Sequence, residues 1–218
     1  MLFEKLLVWR DETPRSGPEN MAVDEWLLES IDGEAILRIY SWKGPWVSLG
    51  YFQSLKLACD LFGDEPEYVR RWTGGGVVDH RNDLTYTLAI PRGHELAERR
   101  GNESYCEIHR VIAKCLGEGG LPCGLTPEDS STETAACFEN PVAWDLLGEN
   151  GEKIAGAGQR RSRYGVLHQG SVQAPAGALD ELSDFLSRKS ARFQNVSVDG
   201  WKDRETKYAS TSWLERRV

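Results

Sequence analysis

The clearest alternation in the chain is "LTYTLAIP" at 84–91, where Leu84, Tyr86, Leu88 and Ile90 interleave with Thr85, Thr87 and Ala89. A period of two is that of a half-buried strand. Shorter apolar runs bounded by turn residues predict further strands at "AILRIY", "WVSLGYF", "EYVRRW", "GVVDH" and "YGVLHQGSVQ". "AWDLL" and "EKIAGAGQRR" flank "GENG", which predicts a hairpin. Helical spacing predicts a helix over "SGPENMAVDEWLLESI", where Pro18 suits the first turn and Met21, Trp26, Leu27 and Ile31 lie broadly on one side. A second helix, "NESYCEIHRVIAKCLGEGG", has Asn102 to cap it, Tyr105, Ile108, Ile112 and Cys115 on one face, and Gly117 and Gly119 to end it. "SLKLACDLFG" predicts a short helix closed by Gly63, and "ALDELSDFLSRKSARF" an amphipathic one with Leu179, Leu182, Phe185 and Leu186 inward. Helices and strands mix without strict βαβ alternation. The expected class is therefore α+β (mixed α/β), a mixed sheet with helices packed on it.

Composition narrows the function. At 218 residues the chain suits a single domain, 1–218, with residues 195–218 as a C-terminal cap over the pocket. Hydrophobic residues at 40%, charged residues at 28% and a net charge of −8 fit an ordinary globule and disfavour nucleic acid as a partner. No apolar run approaches a membrane span, and the start turns polar too soon for a signal peptide, so a cytoplasmic monomer is expected. Five scattered cysteines, with no CxxC pair and no histidine cluster, suggest reduced thiols and no metal site.

Three stretches carry candidate chemistry. "RRWTGGGVVDH" sets Gly74, Gly75 and Gly76 between Arg70, Arg71 and His80. It lacks the Lys-Ser/Thr of a P-loop, and three glycines alone read equally as a turn. Glycines between strands also let a backbone approach a ligand closely. "KIAGAGQRR" places Lys153 before the small residues 155–158 and a run of arginines. Such a lysine is either a solvated strand residue or one held in a pocket for proton transfer. Cys137, in the polar loop "GLTPEDSSTETAACFENP", is either inert or a nucleophile with a nearby lysine as its base and counter-charge. Arg160, Arg161 and Arg163 make either a solvated face or a basic patch on an acidic protein, able to dock an acidic partner.

In this order and spacing the motifs resemble the lipoate- and octanoyl-transferring branch of the biotin/lipoate protein ligase superfamily. "GPENMAVDEWLL" looks like its first helix, "RRWTGGGVVDHRNDLTYTLAIP" like its signature, and "KIAGAGQRR" with "GVLHQGS" like its lysine strand and the strand after it. The "CF" pair, Cys137-Phe138, stands sixteen residues before Lys153, as in the cysteine-dependent acyltransferases. The resemblance implies a largely antiparallel mixed sheet flanked by helices. It implies an enzyme that moves an octanoyl or lipoyl group onto the acceptor lysine of a lipoyl domain through a thioester on Cys137, assisted by Lys153. Arg71, Gly74, Gly75, Gly76, His80, Ala155, Gly156, Ala157, His168 and Gly170 would bind the acyl substrate, and Arg160, Arg161 and Arg163 would dock its carrier. Implied partners are an acyl carrier protein or lipoyl domains, such as the glycine cleavage H protein and 2-oxoacid dehydrogenase E2. No cofactor is required for that reaction. Gly76 stands where the acyltransferases often have arginine, which leaves open an ATP- and Mg²⁺-dependent lipoate-protein ligase without its accessory domain. A binder of lipoyl domains or small acids, without chemistry, is the third alternative.

Overall fold

The computed structural model describes residues 1–127, 142–194 and 200–216. Its strands are β1 (Phe3–Arg15), β2 (Ala35–Trp42), β3 (Trp46–Leu49), β4 (Glu67–Arg70), β5 (Val77–Asp79), β6 (Leu84–Pro91), β7 (Cys123–Leu125), β8 (Leu146–Gly148), β9 (Lys153–Ser162), β10 (Gly165–Val172) and β11 (Ser187–Arg192). Its helices are α1 (Gly17–Glu29), α2 (Leu55–Phe62), α3 (Glu95–Glu98), α4 (Gly101–Glu118), α5 (Leu182–Leu186), α6 (Lys202–Ala209) and α7 (Thr211–Leu214). Eight strands form one sheet in the order β11-β1-β2-β6-β10-β9-β8-β7, and β4-β3-β5 form a small second sheet. β1 runs parallel to both β11 and β2, while β2, β6, β10, β9, β8 and β7 pair antiparallel in turn. A mixed sheet with helices packed on it is what the patterning predicts, and the mostly antiparallel pairing is what the resemblance implies.

α1 begins where the sequence signals it. Ser16 and Glu19 form a reciprocal capping box, with proline in the first turn. The helix lies on one face of the large sheet, and Trp9, Met21, Leu27, Ile36 and Leu167 share its core. α4 covers the other face, where Ile108 and Ile112 pack with Leu37, Leu88 and Val166. Asn102 does not cap α4 from outside. It lies within the first turn, and the helix runs through Gly117 to a C-cap at Gly119.

Two segments depart from the expectation. The chain from Phe3 to Arg15 is a strand whose inward residues fall at 3, 6, 9 and 11, so no alternation announces it. The amphipathic helix expected at 178–193 is confined to Leu182–Leu186, after which the chain becomes β11 at the sheet edge. Leu179, Leu182 and Leu186 reach the core from that short turn, and the exposed residues after Ser187 gain main-chain pairing with β1 instead. In the C-terminal segment, α6 packs on α1, with ion pairs Lys207–Glu25 (2.8 Å) and Arg204–Glu29. Buried Arg70 donates to the carbonyls of Gly50, Tyr51 and Gln53 and to those of Trp213 and Leu214, which clamps α7 to the small sheet. The described residues 200–216 thus brace α1 and β4. Among the described residues, no helix is long and apolar enough to cross a membrane.

Candidate active site

The segment 73–80 crosses the large sheet and walls a narrow pocket lined by Met21, Trp42, Arg71, His80, Lys153 and Ser171. It stays close to the sheet because the contacting backbones lack side chains. A Cβ on Gly158 would stand 2.4 Å from the Gly74 carbonyl oxygen, and one on Gly50 would stand 1.9 Å from that of Gly75. Gly75 itself has φ +96°, a conformation that favours glycine. Arg71, buried, donates to the carbonyls of Gly74 (3.2 Å), Gly76 (2.9 Å) and Ser48 (2.9 Å). The glycine run is therefore a braced wall rather than a free phosphate cradle.

His80 continues that wall. Its Nε2 is 2.6 Å from Ser48 Oγ, its Nδ1 is 2.7 Å from Asp83 Oδ2, and its ring stacks on Trp42 at 4.0 Å. The sequence Ser–His–Asp is that of a hydrolase triad, but Ser48 is fully buried and its Oγ also accepts from Arg71 at 2.6 Å. With no access to a substrate, this Ser–His–Asp array is a structural brace.

At the opposite end of the pocket stands Lys153. Its Nζ lies 2.7 Å from Asp145 Oδ2, with both side chains about 1% exposed. A Cβ on Gly156 would be 2.6 Å from Lys153 Cε and 2.8 Å from Nζ, so this glycine reserves the space the ammonium occupies. Asp145 is held from three sides. Tyr105 donates to Oδ1 (2.5 Å), the Val142 amide donates to Oδ2 (2.8 Å), and its own carbonyl accepts from the Thr126 amide (2.8 Å). Trp144, just before it, has φ 71°, uncommon for a non-glycine residue. Its carbonyl accepts from His109 Nδ1 at 2.7 Å.

Behind β9 and β10 lies a buried ring cluster of Tyr86, Tyr105, His109 and His168. Burial lowers the His109 pKa to about 4, and His109 Nε2 has no hydrogen-bond partner among the described residues. Burial, and then His109, push His168 well below the usual imidazole range. Burial, and then Asp145, raise Tyr105, which keeps its hydroxyl a donor. A second network links α1 to the pocket. Asp24 pairs with buried Arg38 (2.7 Å) and accepts from Gln169 (2.7 Å), whose amide oxygen accepts from Thr73 (2.7 Å).

Of the expected site residues, Arg71, His80, Lys153, Gly156, Ala157 and Gly170 line one pocket. Gly74, Gly75 and Gly76 back its wall. Ala155 is buried in the main core, and His168 lies with Tyr86 in the ring cluster. Gly170 has room for no side chain, because a Cβ would meet the Tyr86 ring at 2.2 Å. The three arginines do not form one patch. Arg160 lies over the rings of Tyr51 and Trp72, Arg161 donates to Ala97 O and Ser104 Oγ by α4, and Arg163 stands exposed over Tyr164. Cys137 lies outside the described residues. The sequence reading missed Asp145, Tyr105, Asp83 and Gln169. Hairpin register gave no signal for Asp145, because the residue paired with Lys153 is Leu147. Among the described residues, no group of three or more His, Cys, Asp or Glu side chains is placed to hold a metal ion.

Comparison with known proteins locates this site in a family. The octanoyltransferase LipM of Symbiobacterium thermophilum is 37% identical over 179 residues, covering 75% of this chain and 64% of that relative. LipM of Carboxydothermus hydrogenoformans is 39% identical over 194 residues, covering 84% and 70%. This chain thus spans somewhat under two thirds of the first of these relatives. Protein Ta0514 of T. acidophilum, solved with bound lipoic acid, shares the fold at TM-score 0.69 and 17% identity, with 98% of each chain covered. The family pattern described as the lipoyl protein ligase A/B catalytic domain matches residues 16–207, and the chain belongs to that family.

Proposed function

We propose that the chain is an acyltransferase that moves an octanoyl group from a thioester carrier to the acceptor lysine of a lipoyl domain. The observation that carries this reading is Lys153, buried at the glycine-lined end of the pocket, in a chain resembling LipM octanoyltransferases at 37–39% identity. Cys137 stands five residues before Val142, whose amide bonds the carboxylate paired with Lys153. A fully extended stretch of that length spans at most ~18 Å.

In the first half-reaction the Cys137 thiolate attacks the acyl carbonyl carbon. The new C–S bond forms as the bond to the carrier sulfur breaks, and the carrier thiolate takes a proton as it leaves. Lys153 hydrogen-bonds the carbonyl oxygen as charge builds there. In the second, the acceptor lysine amine attacks the same carbon, a C–N bond forms, and the proton lost by nitrogen passes to the departing Cys137 sulfur. An eight-carbon chain supplies several kcal/mol of binding at roughly 0.8 per buried CH₂. The thioester is already activated, so the route consumes neither ATP nor a metal. The donor would be an acyl carrier protein and the acceptors lipoyl domains.

The test is transfer from octanoyl-acyl carrier protein to a lipoyl domain without ATP. Wild type should transfer, and Cys137→Ala and Lys153→Met should each lose at least ~100-fold. Full activity in Cys137→Ala would refute the thioester route. The run Gly74–Gly76 favours a second reading, an ATP-dependent lipoate ligase. That reading requires lipoate-dependent exchange of pyrophosphate into ATP with Mg²⁺ present, and silence in that assay would eliminate it.

A further inference from the structure

The turn at 50–53 is laced to the outer side of the glycine wall. The Gly50 amide donates to Gly76 O (3.1 Å), the Tyr51 amide to Thr73 O (2.9 Å) and Gln53 Nε2 to Gly75 O (3.4 Å). What this turn presents to solvent is aromatic. Phe52 is 70% exposed, and the Tyr51 ring lies between two guanidinium groups, Arg160 at 5.1 Å and Arg216 at 4.9 Å. Arg160 also stands 5.2 Å from the Trp72 ring, and Arg216 shares a surface hollow with Phe52.

The charges on this face are not balanced. Arg160 Nε is buried with no hydrogen-bond partner among the described residues. Beneath it Arg70 is held by carbonyl groups, and burial, and then the Arg216 charge, lower its pKa. Glu215 lines the same hollow as Arg216, yet among the described residues no carboxylate forms an ion pair with Arg70, Arg160 or Arg216. On a chain of net charge −8 this face is a local positive field. Arginine, tyrosine and tryptophan are also the residues that carry most binding energy in protein interfaces. Guanidinium groups already seated on rings lose less freedom when a partner docks.

We propose that Phe52, Arg160 and Arg216 form the docking face for an acidic acyl carrier protein that delivers the thioester. The proposal rests on the acyl-transfer reading for its partner. The donor is favoured over the acceptor by charge. A carrier's thioester arm bears a phosphodiester, which these arginines attract, whereas an acceptor lysine arrives as an ammonium, which they repel. Reach agrees. Gly156, Gly158 and Arg160 alternate onto one face of β9, which sets Arg160 ~13 Å from the glycine beneath Lys153. An arm of about thirteen bonds from phosphorus to sulfur spans ~16 Å.

The experiment measures binding of fluorescently labelled holo-acyl carrier protein, without an acyl group, to the full chain by anisotropy. Wild-type affinity should fall as salt rises from about 50 to about 300 mM. Arg216→Glu and Phe52→Ser, both at exposed positions, should each weaken binding about tenfold, and Arg216→Glu should flatten the salt dependence. Arg188→Glu, the same charge reversal on β11, should change affinity less than twofold. No wild-type binding, unchanged affinity in both face variants, or an equal loss in Arg188→Glu would each overturn the proposal. So would an equal loss of affinity for a lipoyl domain, which would give the face to the acceptor. Binding needs no transfer, so the two readings separate. Weakened binding in the face variants of a wild type that never transfers octanoate would support the docking face and sink the transferase. Transfer by wild type with unchanged affinity in the variants would do the reverse.

Discussion

Replacing Asp145 by asparagine tests the buried pair directly. Lys153 Nζ and Asp145 Oδ2 are 2.7 Å apart with almost no exposure. At an effective dielectric of about 20 their attraction is ~6 kcal/mol, against which both ions lose hydration. Asparagine keeps the shape and can still accept from Tyr105 through one oxygen. Its amide nitrogen would then stand where Oδ2 now accepts from both Lys153 and the Val142 amide, setting donor against donor. The ammonium loses the Asp145 counter-charge, and breaking a buried pair from one side should cost ~3–5 kcal/mol of stability. Because whole domains have only ~5–15 kcal/mol in hand, the single variant will be fragile, and Lys153→Met is measured with it. Removing both charges should return a large part of the loss, so the double variant should be more stable than Asp145→Asn alone. The assay is urea unfolding followed by tryptophan fluorescence, comparing midpoints at constant slope. An Asp145→Asn variant within ~1 kcal/mol of wild type, or a double variant whose losses simply add, would refute the reasoning.

Two further outcomes follow from the same contacts. Gly158→Ala places a Cβ 2.4 Å from the Gly74 carbonyl oxygen, backbone against backbone, and should lower stability by ~2 kcal/mol or more while weakening alkanoate binding; an unchanged melting temperature would contradict it. His109, with its pKa lowered by burial to about 4 from an ordinary 6.5, binds protons more weakly when folded than when unfolded. Its contribution is therefore intact above about pH 6.5 and is lost as pH falls toward 4, at up to ~1.4 kcal/mol per pH unit. The urea midpoint should drop between pH 7 and 5, and less steeply in His109→Gln, whereas parallel profiles for the two proteins would discount the assignment.

Where a side-chain pattern carries the fold, the sequence was readable. Ser16, Pro18 and Glu19 announce α1, the Leu84–Ile90 alternation announces β6, and "GENG" announces the β8–β9 hairpin. β1 was not readable, because its inward residues do not alternate. Nor was β11, since it joins the sheet through its main chain and leaves nearly every side chain in solvent. The site divides in the same way. Arg71, His80 and Lys153 stood out by their motifs and do meet at one pocket. Asp145 is a single acidic residue in an apolar pentapeptide, and only the fold shows that it faces Lys153. Arg160 and Arg161 are adjacent in the chain, yet a strand sends neighbours to opposite faces, and they end beside Trp72 and α4 respectively. His168 and Gly170 matched a family motif, but strand alternation turns both toward Tyr86, so Gly170 meets the pocket only through its backbone.

The central claim is that this chain carries an acyl group on its own thiol. Intact mass of the full chain after incubation with octanoyl-acyl carrier protein, in the absence of ATP, tests it most directly. Wild type should gain the mass of one octanoyl group, hydroxylamine should remove it, and Cys137→Ala should gain nothing. An equal gain in Cys137→Ala, or no gain in a wild-type protein that still transfers octanoate, would contradict it.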